Sequence, residues 1–409
     1  MQLRQVVLVA AALLGSSAFA AEAKWVPLFD GKSLKGWQVC DGKATYRAEG
    51  GMIVGRTVEG SPNSFLCTTR EYGDFELEYE AKTDPALNSG VQLRAHKYET
   101  ETKTKVFNQG KLIDRTFPAG RVRGYQVEIS NEKAAGSGGI FDEARRGWLD
   151  DLSKNEAARK AFRDNQWNKF RVVASGDSIK VWVNGLPAAA IVDSLDLSGF
   201  IGLQVHAVKS EKPLEVRWRN MRIKDMGRHV WKPLWDGKSL AGWTPSAGGK
   251  WSVQDGSIYG TSVEGDARIG FLSSDFAFAD GTVRVRYRIS KGNSGFFVRT
   301  DTASGMAAYE VEIDAEKRSG GLWETRGRNW VTGPEDNAAQ KPADEWNDLT
   351  ASLHGRRIVF HLNGVKTVDL PNDEKGRTEG HLALQAHGAK RPTEVWFRDI
   401  AILVPATAK

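Results

Sequence analysis

Apolar and polar residues alternate with a period of two along most of this chain. In "DFELEYEAK", Phe75, Leu77, Tyr79 and Ala81 fall on one face of an extended strand and Glu76, Glu78 and Glu80 on the other. Similar blocks follow one another, bounded by clusters of Gly, Asn, Asp and Ser, which is the punctuation of antiparallel strands joined by turns. Asn184-Gly185 and Asn363-Gly364 each lie between apolar runs and predict tight hairpins, because both residue types tolerate positive φ. Helix is scarce, and "DLSKNEAARKAFRDN" at residues 151–165 is the one stretch that suggests it. Many short antiparallel strands in units of this size predict an all-β fold built as two-sheet sandwiches of jelly-roll type.

The blocks occur twice and in the same order. "WVPLFDGKSLKGW" at 25–37 is answered by "WKPLWDGKSLAGW" at 231–243, "NSGVQLR" at 88–94 by "NSGFFVR" at 293–299, and "GYQVEIS" by "AYEVEID". The "SGGIF" and "SGGLW", "WNKF" and "WNDL", "GLQVHA" and "ALQAHG", and "EVRWRNMRI" and "EVWFRDIAI" pairs complete the series. A full-length internal repeat of this kind is a tandem duplication of one domain. The division expected is residues 1–20, 21–226 and 227–409. Each opening motif, with its two Trp and its "DGKSL" turn, reads as the anchor of the first strand, and direct stacking of its tryptophans on a ligand is the lesser alternative.

The first twenty residues change the picture of where the protein works. Arg4 precedes an apolar run at 6–14 that ends in "AFA" before Ala21, the pattern of a cleaved signal peptide, so export, secreted or periplasmic, is expected. No later stretch approaches the length of a membrane helix, so no membrane insertion is expected. The formal charge of +6 comes from basic residues interleaved with acidic ones, which gives little support to nucleic-acid binding. The only cysteines, Cys40 and Cys67, align with Ser246 and Ser273 of the second repeat, so a bridge between them would be a local staple. Oligomeric state is not legible.

The ordered blocks resemble the family of 3-keto-disaccharide hydrolase domains, whose fold is similar to the concanavalin A-like lectin and glucanase sandwich. The residues that carry the resemblance are "LFDGKSLKGW", "NSG" followed by Arg, the "YxVxI" strand, "SGG" with its apolar pair, "WN", "NG", "LQxH" and the terminal "EVxFR(N/D)I". The resemblance covers both repeats almost end to end and implies two tandem concanavalin A-like jelly-roll β-sandwich domains acting on a carbohydrate. The family's middle strand typically reads "YExQI(L)D". Both copies here carry Glu in place of its Gln, and the first, "YQVEIS", also lacks the Asp, which puts an intact first site in doubt.

Strand alternation then brings polar side chains together. In the second repeat Glu310, Glu312 and Asp314 share the face opposite Tyr309, Val311 and Ile313, while Arg299 opposes Val298 and Gln385 and His387 oppose Leu384 and Ala386. Asn293 opens the preceding strand. The first repeat offers Arg94, His96, Gln126, Glu128, Gln204 and His206. If these strands form one sheet, as the resemblance implies, each repeat has a shared ligand site; the plainer reading of the acidic row is a solvated strand face. For a 3-keto-glycoside, Glu310 or Glu312 would be the base, Arg299 the partner of the enolate oxygen and His387 the acid, with Asp314 beside them. Asn293, Gln385, Arg94, Gln126, Glu128, Gln204 and His206 would bind substrate. A divalent metal is a further candidate cofactor through Glu, Asp and His, although the spacing matches no compact ligand signature. A non-catalytic lectin-like protein and ordinary two-carboxylate glycosidase chemistry stand as alternatives. Finally, Glu76, Glu78 and Glu80 align with Arg284, Arg286 and Arg288, so the two rows could either stay exposed or face each other.

Overall fold

Each repeat folds as two antiparallel sheets laid face to face in a computed structural model that describes residues 23–108, 111–130, 136–263, 265–266, 268–388 and 392–407. The expected signal peptide at 1–20 lies outside the described residues. Two compact units are present, one formed by residues 23–230 with 405–407 and the other by 231–404. Both are jelly-roll β-sandwiches, as the alternating blocks predict.

In the first sandwich, one sheet runs Leu186–Val192, Ser178–Val183, Asn168–Ser175, Asp74–Thr83, Glu215–Gly227, Met52–Arg56 and Thr45–Glu49 in order across it. The other runs Gly147–Asp150, Ile140–Glu143, Val122–Ile129, Ser89–Lys97, Phe200–Val205, Ser64–Thr68 and Trp37–Asp41. Phe75, Leu77, Tyr79 and Ala81 face the core between the sheets, as their alternation requires. The second sandwich repeats the site-bearing sheet as Trp243–Pro245, Gly270–Phe278, Gly380–Ala386, Asn293–Asp301, Ala307–Asp314, Leu322–Thr325 and Asn329–Thr332.

Local chemistry accounts for the ends of these elements. Asn184 and Gly185 take φ of 49° and 85°, and Asn363 and Gly364 take 50° and 79°, the double positive φ of a two-residue hairpin. The helix is shorter than its sequence suggests, Glu156–Ala161, capped by Asn155, whose side chain accepts from the Ala158 amide. In the opening motifs, the Asp30 carboxylate accepts from the Lys32 and Ser33 amides, and Asp236 does the same for Lys238 and Ser239. These bonds hold both carboxyls down at about 2. Trp37 and Trp243 are buried in the cores. The motif is therefore a structural closure of the first strand.

Cys40 and Cys67 form a disulfide with Cα atoms 5.9 Å apart, joining the neighbouring strands Trp37–Asp41 and Ser64–Thr68. Closing a loop of this length stabilises the first sandwich by about 3 kcal/mol. The charged rows find their partners locally. Glu76, Glu78 and Glu80 pair with Arg171, Arg222 and Arg219 of their own sandwich, while Arg286 pairs with Asp348 and Arg284 and Arg288 lie over Trp231 and Trp396. Among the described residues no helix is long and apolar enough to cross a membrane.

Candidate functional site

The site of the second sandwich is built on the strand Ala307–Asp314. Tyr309, Val311 and Ile313 are fully buried in the core, so Glu310, Glu312 and Asp314 emerge on the outer face of the sheet. Antiparallel register sets Asn293 opposite Asp314, Gly295 opposite Glu312, and Phe297 opposite Glu310. On the next strand Leu384 faces Phe296, which brings Gln385 beside Gly295.

The "NSG" triplet organises this face one residue at a time. Asn293 Nδ2 donates to Asp314 Oδ2 at 3.0 Å and also to Glu312 Oε1. Ser294 is buried and its hydroxyl donates to the Gln385 carbonyl at 2.6 Å, fixing the spacing of the two strands. Gly295 leaves a trough into which Glu310 lies: a Cβ there would stand 2.5 Å from Glu310 Oε1 and 2.8 Å from its Cγ. Gly90 does the same in the first sandwich, where a Cβ would stand 2.4 Å from Gln126 Cδ.

These surroundings separate the two glutamates electrostatically. Glu310 is 5% exposed, and burial, reinforced by the charge of Glu312, raises its carboxyl well above the usual range although the Thr325 hydroxyl donates to it at 2.8 Å. Glu312 is pushed up to about 7, chiefly by desolvation and further by Asp314, while the Asn293 bond opposes the shift. Glu310 therefore holds its proton more tightly than an ordinary carboxyl, and near neutral pH Glu312 is divided between its two forms. That division of labour suits acid–base chemistry.

Around them lies a cavity of about 640 Å³. Asn293, Glu310, Glu312, Asp314, Gln385 and His387, all expected from the sequence, line it together. So do Trp323, Trp330, Lys317 and Arg318, which the alternation argument does not reach. Arg318 lies over the Trp330 ring at 4.8 Å and pairs with Glu335 at 2.8 Å. The legible signal for the tryptophans was their recurrence: Phe141 and Trp148 occupy the matching places in the first repeat. Among the described residues no group of three or more His, Cys, Asp or Glu side chains is arranged to hold a metal ion.

In the first sandwich Asn88, Gln126, Glu128, Gln204 and His206 come together in a cavity of about 550 Å³. Asn88 donates to Glu128, Gln126 Nε2 donates to Glu128 Oε2 at 3.0 Å, and the Ser89 hydroxyl donates to the Gln204 carbonyl at 2.8 Å. Phe141, Glu143 and Trp148 complete its wall.

Two expected site residues are placed elsewhere. Arg94 and Arg299 adopt φ of 47° and 52°, next to interruptions in strand register, and such a bulge breaks the alternation that would have put them on the outer face. Their guanidinium groups instead turn inward and are fully engaged. Arg299 donates to the carbonyls of Ala279 and Arg377 and to Asp280, and Arg94 to those of Gly73 and Gly176 and to Asp74. Both are 0% exposed; Arg94 ties the site-bearing sheet to the opposite one through Asp74, whereas Arg299 holds the turn at Ala279 and Asp280 and the loop at Arg377. Neither can meet a substrate oxygen, and Lys317 and Arg318 are the cations that can. His96 also stands apart, with Nε2 3.8 Å from Asp196.

Comparison with known proteins agrees with the duplication. The model of the 3-keto-alpha-glucoside-1,2-lyase-like domain matches residues 24–224 and again 230–403. No curated protein matches the chain. Among solved structures, a candidate glycosyl hydrolase from Parabacteroides distasonis ATCC 8503 is 18% identical over 52% of this chain and 97% of its own, with a TM-score of 0.31. The carbohydrate-binding module CBM66 from Bacillus subtilis is 15% identical over 46% of this chain and 96% of its own, at 0.26. A prokaryotic β-1,3-1,4-glucanase (lichenase) derived from a mouse hindgut metagenome is 14% identical over 44% and 99%, at 0.32. At these values none of the three bears on the chemistry.

Proposed function

Since the chain belongs, through both of its halves, to the family of 3-keto-alpha-glucoside-1,2-lyase-like domains, we propose that it is an exported carbohydrate-active enzyme whose second sandwich cleaves 3-keto-glycosides by elimination followed by hydration. The observation that carries this reading is the pair Glu310 and Glu312, two carboxyls raised by burial and by neighbouring carboxylates in one cavity walled by tryptophan.

A ketone at C3 of the sugar acidifies the hydrogen on C2. Glu312, ionised in part at neutral pH, takes that proton, and the negative charge moves onto the ketone oxygen, where Arg318 or Lys317 stabilises it. Collapse of the enolate forms the C1–C2 double bond and breaks the bond from C1 to the leaving oxygen, which receives its proton from Glu310. Water then adds across the double bond: its oxygen goes to C1, C2 regains a proton, and both carboxyls return to their starting forms. Trp323 and Trp330 offer apolar faces for the sugar ring, and Gln385 and His387 offer hydrogen bonds to its hydroxyls.

Incubation of the purified protein with a 3-keto-disaccharide and with the same disaccharide unoxidised is expected to release monosaccharide from the first alone. The tryptophan wall equally suits a sugar-binding protein, and binding of both sugars without release from either would establish that reading instead. A second expectation follows from the trough at Gly295. Gly295→Ala should displace the Glu310 carboxyl and cut turnover at this cavity ten- to hundredfold, since misplacement by about 1 Å carries costs of that order. It should also lower the melting temperature somewhat, because the added Cβ would stand 2.7 Å from the buried Phe297 ring. The measurement is made with Glu128 replaced by Gln, so that the first cavity stays silent; undiminished turnover would remove Glu310 from the mechanism.

A further inference from the structure

We propose that the first sandwich holds a second working site for the same class of substrate, 3-keto-glycosides, in which Glu143 supplies the carboxyl that stands at Glu310 in the second. This inference rests on the reading given above for the second cavity.

The two repeats differ at this corner by an exchange. Where the second has Glu310 and the hydroxyl of Thr325 donating to it, the first has Gln126 and Glu143. Register brings the exchanged positions together, because Gly124 lies opposite Glu143 and Gln126 opposite Phe141 on adjacent strands, just as Ala308 lies opposite Thr325 and Glu310 opposite Trp323. The carboxyl has thus crossed to the neighbouring strand while remaining in the wall of the cavity. A neutral side chain, Gln126, stands where the second sandwich has its carboxyl, and it donates to Glu128 Oε2 at 3.0 Å.

Glu143 is held there by groups that the second sandwich lacks. Arg121 Nη2 and Asn63 Nδ2 donate to Glu143 Oε1, and Arg121 Nη1 donates to Asp41 Oδ2 at 3.1 Å. At the aligned positions of the second repeat stand Gly305, Ile269 and Ala247, so the support and the carboxyl occur together or not at all. Glu143 is 6% exposed, and burial raises its carboxyl against the pull of Arg121. An independent observation points to a polar ligand. Gln204 is 0% exposed and lines the same cavity, yet both its Oε1 and its Nε2 lack a hydrogen-bond partner. A buried amide in that state calls for a hydroxyl-bearing guest or water. Trp148, 39% exposed and edge-on to Phe141, supplies the apolar wall.

Glu128, which Asn88 holds as Asn293 holds Glu312, takes the C2 proton; the bond from C1 to the leaving oxygen breaks as the double bond forms; and Glu143 protonates the departing oxygen. Addition of water restores both carboxyls. Gln126 remains uncharged between them and spares the site a third acid.

The test uses the full-length protein with the second cavity silenced by Glu312→Gln. Residual release of monosaccharide from a 3-keto-disaccharide is expected, and adding Glu143→Gln should lower it about tenfold or more. Exchanging the pair, Gln126→Glu with Glu143→Thr, rebuilds the arrangement of the second sandwich and should bring the residual rate back. An active parent that keeps no turnover after Glu312→Gln overturns this inference and leaves the reading of the second cavity standing; a parent inert on 3-keto-disaccharides sinks both. Residual turnover that Glu143→Gln leaves unchanged also overturns it. Should Glu143→Gln lower the melting temperature, the exchanged pair decides: a folded but inactive exchange variant rejects the role of Glu143.

Discussion

In a protein whose first cavity has been silenced by Glu128→Gln, replacing Glu312 by Gln is expected to lower kcat on a 3-keto-disaccharide by about a thousandfold, within the range that a positioned general base supplies. Glu312 is pushed up to about 7 by its burial and by Asp314, so the unvaried cavity should gain activity as pH rises through about 7 and the carboxylate form fills. The variant should lose that limb. Stability should move the opposite way. A carboxyl whose folded pKa lies above its ordinary value of 4.5 binds its proton more tightly in the folded state, so its stabilising contribution is complete below about 4.5 and is lost as pH rises through about 7. Glu312→Gln should therefore raise the melting temperature at pH 8 relative to pH 4, each compared with the parent. Turnover reduced less than tenfold would place the base elsewhere, and an unshifted melting temperature at pH 8 would deny that burial strains this group.

Arg94→Met is expected to destabilise the first sandwich by about 3–5 kcal/mol, the usual consequence of removing one member of a buried ion pair. The guanidinium is 0% exposed, donates to the Gly73 and Gly176 carbonyls at 2.7 Å each, and pairs with Asp74, itself 4% exposed. Methionine keeps much of the volume and leaves the carbonyls and part of the Asp74 carboxylate without a donor. Calorimetry should show the transition of this unit lowered by roughly 10 °C, with turnover at the second cavity unchanged. Were Arg94 a substrate ligand, as alternation alone suggests, the melting temperature would hold and binding at the first cavity would fail. Arg299 occupies the same position in the second unit, but its partner Asp280 is largely exposed, so the matching substitution there should cost less.

The repeat, its strands, its hairpins and most of its site were determined by local chemistry that a linear pattern records. Alternation at Tyr309 to Asp314 is enough to put three acids on one face, and Asn followed by Gly is enough to turn a hairpin, because each depends only on residues a few positions apart. The same holds for Asn293, Gln385 and His387, whose neighbours in the chain already define which way they point. What only the tertiary structure decided were the features that depend on strands meeting. The positive φ at Arg94 and Arg299 interrupts the period of two at one residue, and nothing in the alternation marks it; the bulge is held because each buried guanidinium finds backbone carbonyls in turns and loops distant in the chain. The role of Gly295 appears only once its empty side is seen to hold Glu310 from the next strand. Likewise Glu143 reads as one more charged strand residue until register sets it beside Gln126, since proximity across strands is a property of pairing and not of sequence distance.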